Sequence, residues 1–311
     1  MSEQPPNPEN LLVVLGPTGS GKSHLGLHLA EHLGGEIVNC DSVQVYRQLD
    51  AGSAKTPLSE RRGIPHHLID VAGIDDHFSA GDFQRLARLA IAAIHARGKL
   101  PVVVGGTGFY LRALLEGLSA APQRNEVLRG RLDGIAARRP KTLHRLLAAK
   151  DPLAAARIHP NDRQKLIRAL EMIILSGETA SAVQGRPRTA FVNVSVVKLG
   201  LSPPRPLLNE RLNKRSSAMF DHGLIEEVRS LLAAGFPAGS KAFQSLGYKQ
   251  AVALLSGAMT RSAAIEECQL RTRQYAKRQL TWFRKERGVH WLNGFGDDTM
   301  IQNDALAFLR V

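Results

Sequence analysis

A glycine-rich run that ends in lysine and serine is the first candidate for chemistry. Residues 16–23 read GPTGSGKS and fit G-x-x-x-x-G-K-[ST], the pattern of a phosphate-binding loop. Glycines let backbone N–H groups turn towards an anion, and the N-terminus of a following helix adds partial positive charge. Lys22 can reach phosphate oxygens, and the Ser23 hydroxyl can ligate Mg²⁺. The predicted phosphate-binding residues are Gly16, Pro17, Thr18, Gly19, Ser20, Gly21, Lys22 and Ser23.

Two more polar groups follow apolar runs. Asp41 comes directly after EIVNC (36–40), and Thr107 stands in GGTG (105–108) after LPVVV (100–104). Open parallel sheets bind ligands beyond the carboxyl ends of their strands, so both positions suit a ligand. Taken alone, Asp41 would more simply be a turn or helix-capping residue. Nucleotide-hydrolysing P-loop proteins usually carry an aspartate where this chain has GGTG, which weakens an ATPase interpretation.

The surrounding pattern supplies strands and helices to hold these groups. LLVVL (11–15) is typical of a buried parallel strand, and Leu25, Leu29 and Leu33 follow at helical spacing. Ser79, with Asp82 three residues on, predicts a capped helix that ends at about Ala96. Further strands are predicted at 191–201 and 290–292, with helices at 207–234 and 265–287. The fold class expected is α/β, with a P-loop NTPase-like parallel sheet flanked by helices.

A basic helical stretch interrupts this pattern. Residues 124–188 contain 14 Lys and Arg against 6 Asp and Glu, a balance of +8, and show helical but little strand periodicity. Pro122 and the Gly185–Pro187 turn bracket the stretch. We predict an inserted all-helical domain at 122–189, within a catalytic core formed by 1–121 and 190–311. Charge runs are usually solvated surface, so the balance by itself leaves ligand binding and an inert face equally open.

The amino-acid composition limits the classes of ligand and partner that the chain is expected to bind. The 311 residues carry a formal net charge of +13, an excess that a nucleic-acid ligand would explain and a small metabolite would not require. Cys40 and Cys268 form no C-x-x-C pair, and His66-His67 lack metal-ligand spacing, so no zinc site is indicated. No apolar run approaches the ~18 residues of a membrane span. We expect a cytoplasmic protein that is a monomer and has no membrane partner.

The motifs together resemble the bacterial tRNA dimethylallyltransferases, also called tRNA isopentenyltransferases. The matching segments, in family order, are GPTGSGKS, DSVQVYR, PHHLID, FSAGDF, VGGTGFYLRALLEGL, IHPNDRQKLIRALE, LIEEVRSLL and QYAKRQLTWFRKE. Three departures are visible: Gly19 in place of alanine, Phe109 in place of leucine, and a slightly altered Ala54–Pro57 run. None of them removes a functional group.

This resemblance implies a reaction and its residues. A dimethylallyl group passes from dimethylallyl diphosphate to the exocyclic N6 amine of the adenosine on the 3′ side of the tRNA anticodon, and diphosphate leaves. Asp41, Thr107 and Arg215 match the family's catalytic positions, as base, diphosphate ligand and catalytic arginine, with Arg211 as the alternative to Arg215. Mg²⁺, held by Ser23, is the implied cofactor. The partners implied are dimethylallyl diphosphate and the anticodon stem-loop of tRNA.

The resemblance also implies which residues contact tRNA. Some line the adenine pocket and the others contact the anticodon stem-loop. They are Asp41, Ser42, Val43, Gln44, Thr107, Arg129, Gln164, Lys165, Leu166, Ile167, Arg168, Phe243, Gln244, Ser245, Leu246, Gly247 and Tyr248.

Two other functions fit part of the sequence. A P-loop small-molecule kinase would use Lys22 and Asp41 but leaves the charge, the insertion and the GGTG turn unexplained. A non-catalytic P-loop RNA-binding switch would explain the charge but gives Asp41 and Thr107 nothing to do. Stabilisation by diphosphate and dimethylallyl diphosphate, but not by ATP, would favour the transferase.

Overall fold

One parallel sheet lies at the centre of the computed structural model, which describes residues 9–309. Its strand order is β3-β2-β4-β1-β5-β6, and all neighbouring strands run parallel. The strands are β1 (Glu9–Leu15), β2 (Gly35–Asn39), β3 (His66–His67), β4 (Leu100–Gly105), β5 (Val194–Leu201) and β6 (Val289–Leu292). The predicted parallel-sheet α/β fold is confirmed.

Helices cover both faces of this sheet and fill the insertion. In chain order they are α1 (Lys22–Leu33), α2 (Ala80–Ala96), α3 (Gly108–Leu115), α4 (Glu126–Arg138), α5 (Thr142–Lys150), α6 (Pro152–Arg157), α7 (Arg163–Ser176), α8 (Ala180–Gly185), α9 (Arg205–Asp221), α10 (Leu224–Ala233), α11 (Tyr248–Leu255), α12 (Arg261–Phe283) and α13 (Thr299–Leu309). None of the helices in residues 9–309 is long and apolar enough to cross a membrane.

The centre of the sheet is buried on both faces because the central strands are largely apolar. Alternate residues of β1 point to opposite sides, so Leu11 and Val13 join one core and Leu12 and Val14 join the other. The first core packs against helices that include α2 and α12, and the second against α1 and α13. Helices on both faces are what a parallel sheet requires.

Several element boundaries differ from the predictions. The capping box of Ser79 and Asp82 is present, and α2 ends at Ala96 as predicted. The predicted 207–234 helix is two helices, α9 and α10, because the chain adopts a positive φ of 93° at Gly223. Strand β3 and helix α13 were not predicted, since two residues of strand are too few for a period and the α13 segment follows no strong start signal.

The chain divides into two compact units. One extends up to Leu115 and resumes at Phe191, and the other is Glu116–Ala190, so the division precedes the predicted boundary at 122. The second unit contains α4–α8 and has its own apolar core, with Leu147, Leu166 and Leu170 buried in it. Its interior also holds the carboxylate of Glu171, which is fully buried.

Candidate active site

Three loops meet at the carboxyl edge of the sheet and enclose a cavity of about 260 Å³. The loops follow β1, β2 and β4, which are neighbours because β4 lies between the other two. Gly105 allows the closest approach, since a Cβ there would lie 2.1 Å from the Cys40 carbonyl oxygen. The cavity is lined mainly by the phosphate-binding loop, the Asp41 turn and α9. The strand order therefore brings Lys22 and Asp41 to one cavity.

Lys22 supplies the positive charge of the phosphate-binding loop. Its Nζ donates a hydrogen bond to the Pro17 carbonyl at 2.7 Å, and an ammonium retains two more donors for a ligand. Burial lowers the pKa of Lys22 to about 8, an effect that the nearby Asp41 carboxylate opposes and Arg215 adds to. A bound anion would counter this burial cost, so the site favours a negatively charged ligand.

Asp41 has one oxygen engaged in a turn and the other without a protein partner. Oδ1 accepts hydrogen bonds from the backbone N–H of Val43 at 2.8 Å and of Gln44 at 3.3 Å. Oδ2 has no hydrogen-bond partner among residues 9–309. The turn role and the catalytic role are therefore compatible, since each can use a different oxygen.

Thr107 joins the β4 loop to the Asp41 turn. Its Oγ1 accepts a hydrogen bond from the Ser42 backbone N–H at 3.1 Å, which leaves the hydroxyl hydrogen for another acceptor. The Tyr275 side chain of α12 also interacts with the Thr107 side chain. Burial raises the pKa of Tyr275, so its hydroxyl stays neutral. Thr107 is thus held beside the Asp41 turn.

Arg215 and Arg211 both line the cavity, one turn apart on α9, but their partners differ. Arg215 donates from Nη2 to Thr18 Oγ1 at 2.8 Å, while its buried Nε has no partner. Burial lowers the pKa of Arg215, although an arginine remains charged. Arg211 forms an ion pair with Asp297 at 2.8 Å. An unpartnered buried donor is what an absent anion would satisfy, and this favours Arg215.

Gln44, which was matched to the adenine pocket, is held by a neighbouring loop. Its Nε2 donates to the carbonyls of Ser53 and Ala54, each at 3.1 Å. Glu227 of α10 accepts the backbone N–H groups of residues 50 and 51, and Tyr248 donates to Glu227 at 2.6 Å. The hydroxyl of Tyr248 also accepts the N–H of residue 52. Glu227 and Tyr248 therefore hold the loop of residues 50–54, and this loop holds the side chain of Gln44.

Several side chains matched to tRNA contacts are buried in the protein. Phe243 and Tyr248 are fully buried, and Leu166 and Ile167 belong to the core of the helical unit. These apolar and aromatic side chains are used for packing in this structure, and their contact with tRNA stays a prediction. Within the matched segments, the exposed side chains are Gln164, Lys165 and Gln244.

Two of the predicted basic contacts are engaged inside the helical unit. Arg129 and Arg168 both bond to Oε2 of the buried Glu171, at 3.0 and 2.6 Å. A buried carboxylate requires such partners, so these arginines stabilise the unit itself. The Arg163 side chain is 48% exposed and that of Lys165 71% exposed, and each pairs only with a surface aspartate. Exposed pairs of this kind are weak, so both cations can exchange partners.

The adjacent histidines have separate structural settings. His67 Nε2 pairs with Glu36 at 2.7 Å, and His66 lines the cavity with Nδ1 against the Ile64 carbonyl. Burial lowers the pKa of His66. Within residues 9–309, no group of three or more His, Cys, Asp or Glu side chains could hold a metal ion.

The residues at the cavity suit a Mg²⁺ ion held mostly by its substrate. Ser23, at the start of α1, lines the cavity and can offer one hydroxyl oxygen. Mg²⁺ commonly keeps several waters and takes its other ligands from phosphate oxygens, so one hydroxyl at a phosphate site is a suitable protein contribution. The donor set therefore fits a Mg²⁺ ion, which stays a prediction.

Sequence reasoning did not single out Gln279, Tyr275 or Glu227. Tyr275 and Gln279 stand in the QYAKRQ segment, four residues apart on α12, and both face the loops of the site. Their position in a family-matched segment of a strongly basic helix was the available signal. Glu227 carries no such signal, because its partners are backbone groups of a distant loop and the hydroxyl of Tyr248.

Comparison with known proteins places the chain in a family. The family model described as IPP transferase matches residues 44–286. The chain belongs to the IPP transferase family. A tRNA dimethylallyltransferase of Solibacter usitatus is 51% identical over 296 residues, covering 95% of this chain and 96% of the relative. The enzyme of the same name from Koribacter versatilis is 49% identical over 301 residues, covering 96% and 98%.

Solved structures agree with this family membership. The full-length tRNA isopentenylpyrophosphate transferase of Bacillus halodurans is 38% identical, with a TM-score of 0.71 and 97% of both chains covered. A eukaryotic dimethylallyltransferase acting on tRNA is 30% identical, with a TM-score of 0.80, covering 97% of this chain and 77% of its own. Members of the IPP transferase family thus share the fold that carries this cavity.

Proposed function

We propose that the protein transfers the dimethylallyl group of dimethylallyl diphosphate to the N6 amine of the adenosine 3′-adjacent to the tRNA anticodon, releasing diphosphate. One observation carries this proposal: a single cavity joins a phosphate-binding loop to the unpartnered Oδ2 of Asp41. The first group suits an anionic leaving group, and the second suits a proton that must be removed. The names of relatives up to 51% identical support it.

The donor half of the reaction uses Lys22, Arg215 and Thr107. When the C1–O bond of the donor breaks, negative charge grows on the diphosphate oxygens. The Lys22 ammonium, the free Nε of Arg215 and the hydroxyl of Thr107 are donors fixed before that charge appears. Such preorganised donors usually supply the largest part of catalysis.

The acceptor half uses Asp41. As the C1–N6 bond forms, the nitrogen becomes acidic, and its proton passes to Oδ2 while Oδ1 keeps the turn in place. A positioned general base of this kind contributes about 10²- to 10⁴-fold. The adenine must leave the anticodon stack to reach the cavity, at a cost of a few kcal/mol.

Mg²⁺ would be held by Ser23 together with oxygens of the diphosphate. When bound, it would neutralise part of the leaving-group charge. The residues of the chain do the rest: Lys22 and Arg215 bind the diphosphate, and Asp41 orients the amine.

The tRNA is proposed to bind the helical unit through its exposed cations. The +8 balance of residues 124–188 and the exposed positions of Arg163 and Lys165 support this. Cationic contacts of this kind act on the phosphate backbone and depend on salt.

We expect a cytoplasmic monomer, and size-exclusion chromatography tests the oligomeric state.

A P-loop small-molecule kinase remains the competing function. It would also use Lys22, but it needs ATP and a carboxylate for its metal. Among the described residues that line the cavity, Asp41 is the one acidic side chain. Its position in the turn after β2, with GGTG after β4, supports the transferase over the kinase.

Mass spectrometry of tRNA nucleosides provides the test. The protein is incubated with unmodified tRNA, Mg²⁺ and dimethylallyl diphosphate, and a parallel sample receives ATP in place of the donor. We expect adenosine bearing one dimethylallyl group in the first sample and no change in the second. Folded protein that leaves the tRNA unmodified, or that turns over ATP with a small-molecule acceptor, would contradict the proposal.

A further inference from the structure

Gln279 is a buried amide that joins two loops of the cavity. It lies on α12 and is 6% exposed. Its Oε1 accepts the backbone N–H of Thr18 at 2.8 Å, and its Nε2 donates to the carbonyl of Gly106 at 2.7 Å. Thr18 belongs to the phosphate-binding loop after β1, and Gly106 to the turn after β4. One side chain therefore bonds to both loops.

Each residue that Gln279 contacts is linked in turn to a functional group of the site. The hydroxyl of Thr18 accepts the bond from Arg215, on the donor side. Gly106 precedes Thr107, which holds the Asp41 turn through Ser42 on the acceptor side. The amide thus links the arginine that faces the leaving group to the threonine beside the base.

The fit of the amide is close. A Cβ at position 106 would lie 2.3 Å from Nε2 of Gln279, so the contact requires glycine there. An amide can bridge an N–H and a carbonyl because it carries one acceptor and one donor group. A carboxylate would repel the carbonyl, and an apolar side chain would leave both backbone groups unsatisfied.

We propose that Gln279 is a positioning residue for the transfer reaction, fixing the distance between the diphosphate-binding loop and the Thr107–Asp41 turn. This inference rests on the proposed function. Gln279 touches neither substrate, and it acts through Thr18 and Gly106. Misplacement of reacting groups by about 1 Å can cost about 10²-fold in rate, so a loosened bridge would show in the chemical step.

Two substitutions separate positioning from simple packing. Gln279→Met keeps the length of the side chain and removes both hydrogen bonds. Gln279→Glu also loses the bridge while ionised, but a protonated carboxyl restores it, since its carbonyl accepts from Thr18 and its O–H donates to Gly106. Burial raises the pKa of such a carboxyl, so protonation occurs at accessible pH.

A matched control lies on the same helix. Gln269 is partly buried and bonds to Ser217 Oγ at 3.1 Å, and it contacts neither loop of the cavity. Gln269→Met removes a comparable amide from α12. Both Gln→Met variants should lose some thermal stability, whereas only the change at 279 should slow transfer.

The experiment measures single-turnover transfer at saturating tRNA and dimethylallyl diphosphate, from pH 6 to pH 8. We expect Gln279→Met to be slowed about 10- to 100-fold, while Gln269→Met matches the wild type. The rate of Gln279→Glu divided by the wild-type rate should rise as the pH falls, because protonation rebuilds the bridge. Lys22 is present in both proteins, so the effect of its own titration cancels in this ratio.

Three results would overturn the inference. They are wild-type transfer by Gln279→Met, an equal loss in Gln269→Met, and a Gln279→Glu ratio that does not change with pH. If Gln279→Met does not fold, the pH ratio of Gln279→Glu decides alone. Thermal shift with inorganic diphosphate checks that each variant is folded. Failure of the wild type to modify tRNA would instead contradict the proposed function.

Discussion

Lys22→Met should make the empty protein more stable while removing most of its activity. The pKa of Lys22 falls from 10.5 to about 8 in the folded chain because the ammonium is buried. A shift of that size corresponds to roughly 3 kcal/mol at about 1.4 kcal/mol per unit. Methionine avoids this cost but loses the bond to Pro17, worth about 1 to 2 kcal/mol. The net gain expected is about 1 to 2 kcal/mol, or a Tm rise of roughly 2 to 6 °C.

The pH dependence of this gain has a definite sign. The folded pKa of Lys22 lies below the unfolded one, so the charged form opposes folding. The penalty is fully present below pH 8 and disappears as the pH rises towards 10.5. The difference in Tm between Lys22→Met and wild type should therefore be largest near pH 7 and shrink by pH 10.

Diphosphate should make the wild type, rather than Lys22→Met, the protein with the higher Tm. A bound anion needs the ammonium, so saturating diphosphate should raise the wild-type Tm strongly and that of Lys22→Met little. Loss of one charge-assisted contact, about 3 kcal/mol, predicts about 10²-fold weaker diphosphate binding. Turnover with dimethylallyl diphosphate and tRNA should fall at least as far.

Differential scanning fluorimetry at pH 7 and pH 10, with and without diphosphate, makes the measurement. Lys99→Met is the matched control, because Lys99 is exposed and precedes β4 at the opposite edge of the sheet. We expect its Tm and its response to diphosphate to match the wild type. A Lys22→Met protein that is less stable at pH 7, or that responds to diphosphate like the wild type, would refute the reasoning.

Three further experiments test the remaining roles. Asp41→Asn keeps the turn through Oδ1 but lacks the base, so single-turnover transfer should fall about 10²- to 10⁴-fold while diphosphate binding is retained. A wild-type rate would show that Asp41 is only a turn residue. Arg215→Gln should weaken donor binding and turnover, whereas Arg211→Gln, which loses a pair with an aspartate, should do little; the reverse order would show that Arg211 is the diphosphate ligand. Neutralising Arg163 and Lys165 together should weaken tRNA binding. The slope of the log binding constant against log salt concentration should fall by about 0.7 to 0.9 per lost phosphate contact, and the thermal shift by diphosphate should not change. An unchanged slope would show that the tRNA binds elsewhere.

Local sequence determined the parts of the site that depend on neighbouring residues. The phosphate-binding loop is specified by three glycines between an apolar strand and an amphipathic helix, and the start of α2 by the capping pair Ser79 and Asp82. All strands except β3 were predicted, because a buried parallel strand is a largely apolar run. The motifs also indicated the family to which the chain belongs, and the comparisons show that membership.

Packing decided which matched side chains could reach a substrate. Phe243 and Tyr248 fit the family's tRNA-contact segment in sequence, yet the structure buries both. Arg129 and Arg168 are basic residues of a basic unit, yet both are committed to the buried Glu171. Residue type states what a side chain can bond to, whereas burial and competing partners decide what it does bond to.

Tertiary structure alone decided how the loops are joined. The order β2-β4-β1 places the Asp41 turn beside Thr107, and no local pattern encodes strand order. Gln279 contacts Thr18 across 261 residues and Gly106 across 173, so its role leaves no periodic signal near either partner. Arg215 differs from Arg211 only in the surroundings that each meets after folding. Local sequence could specify the chemical groups, but their distances depend on long-range packing, which is determined only when the whole chain has folded.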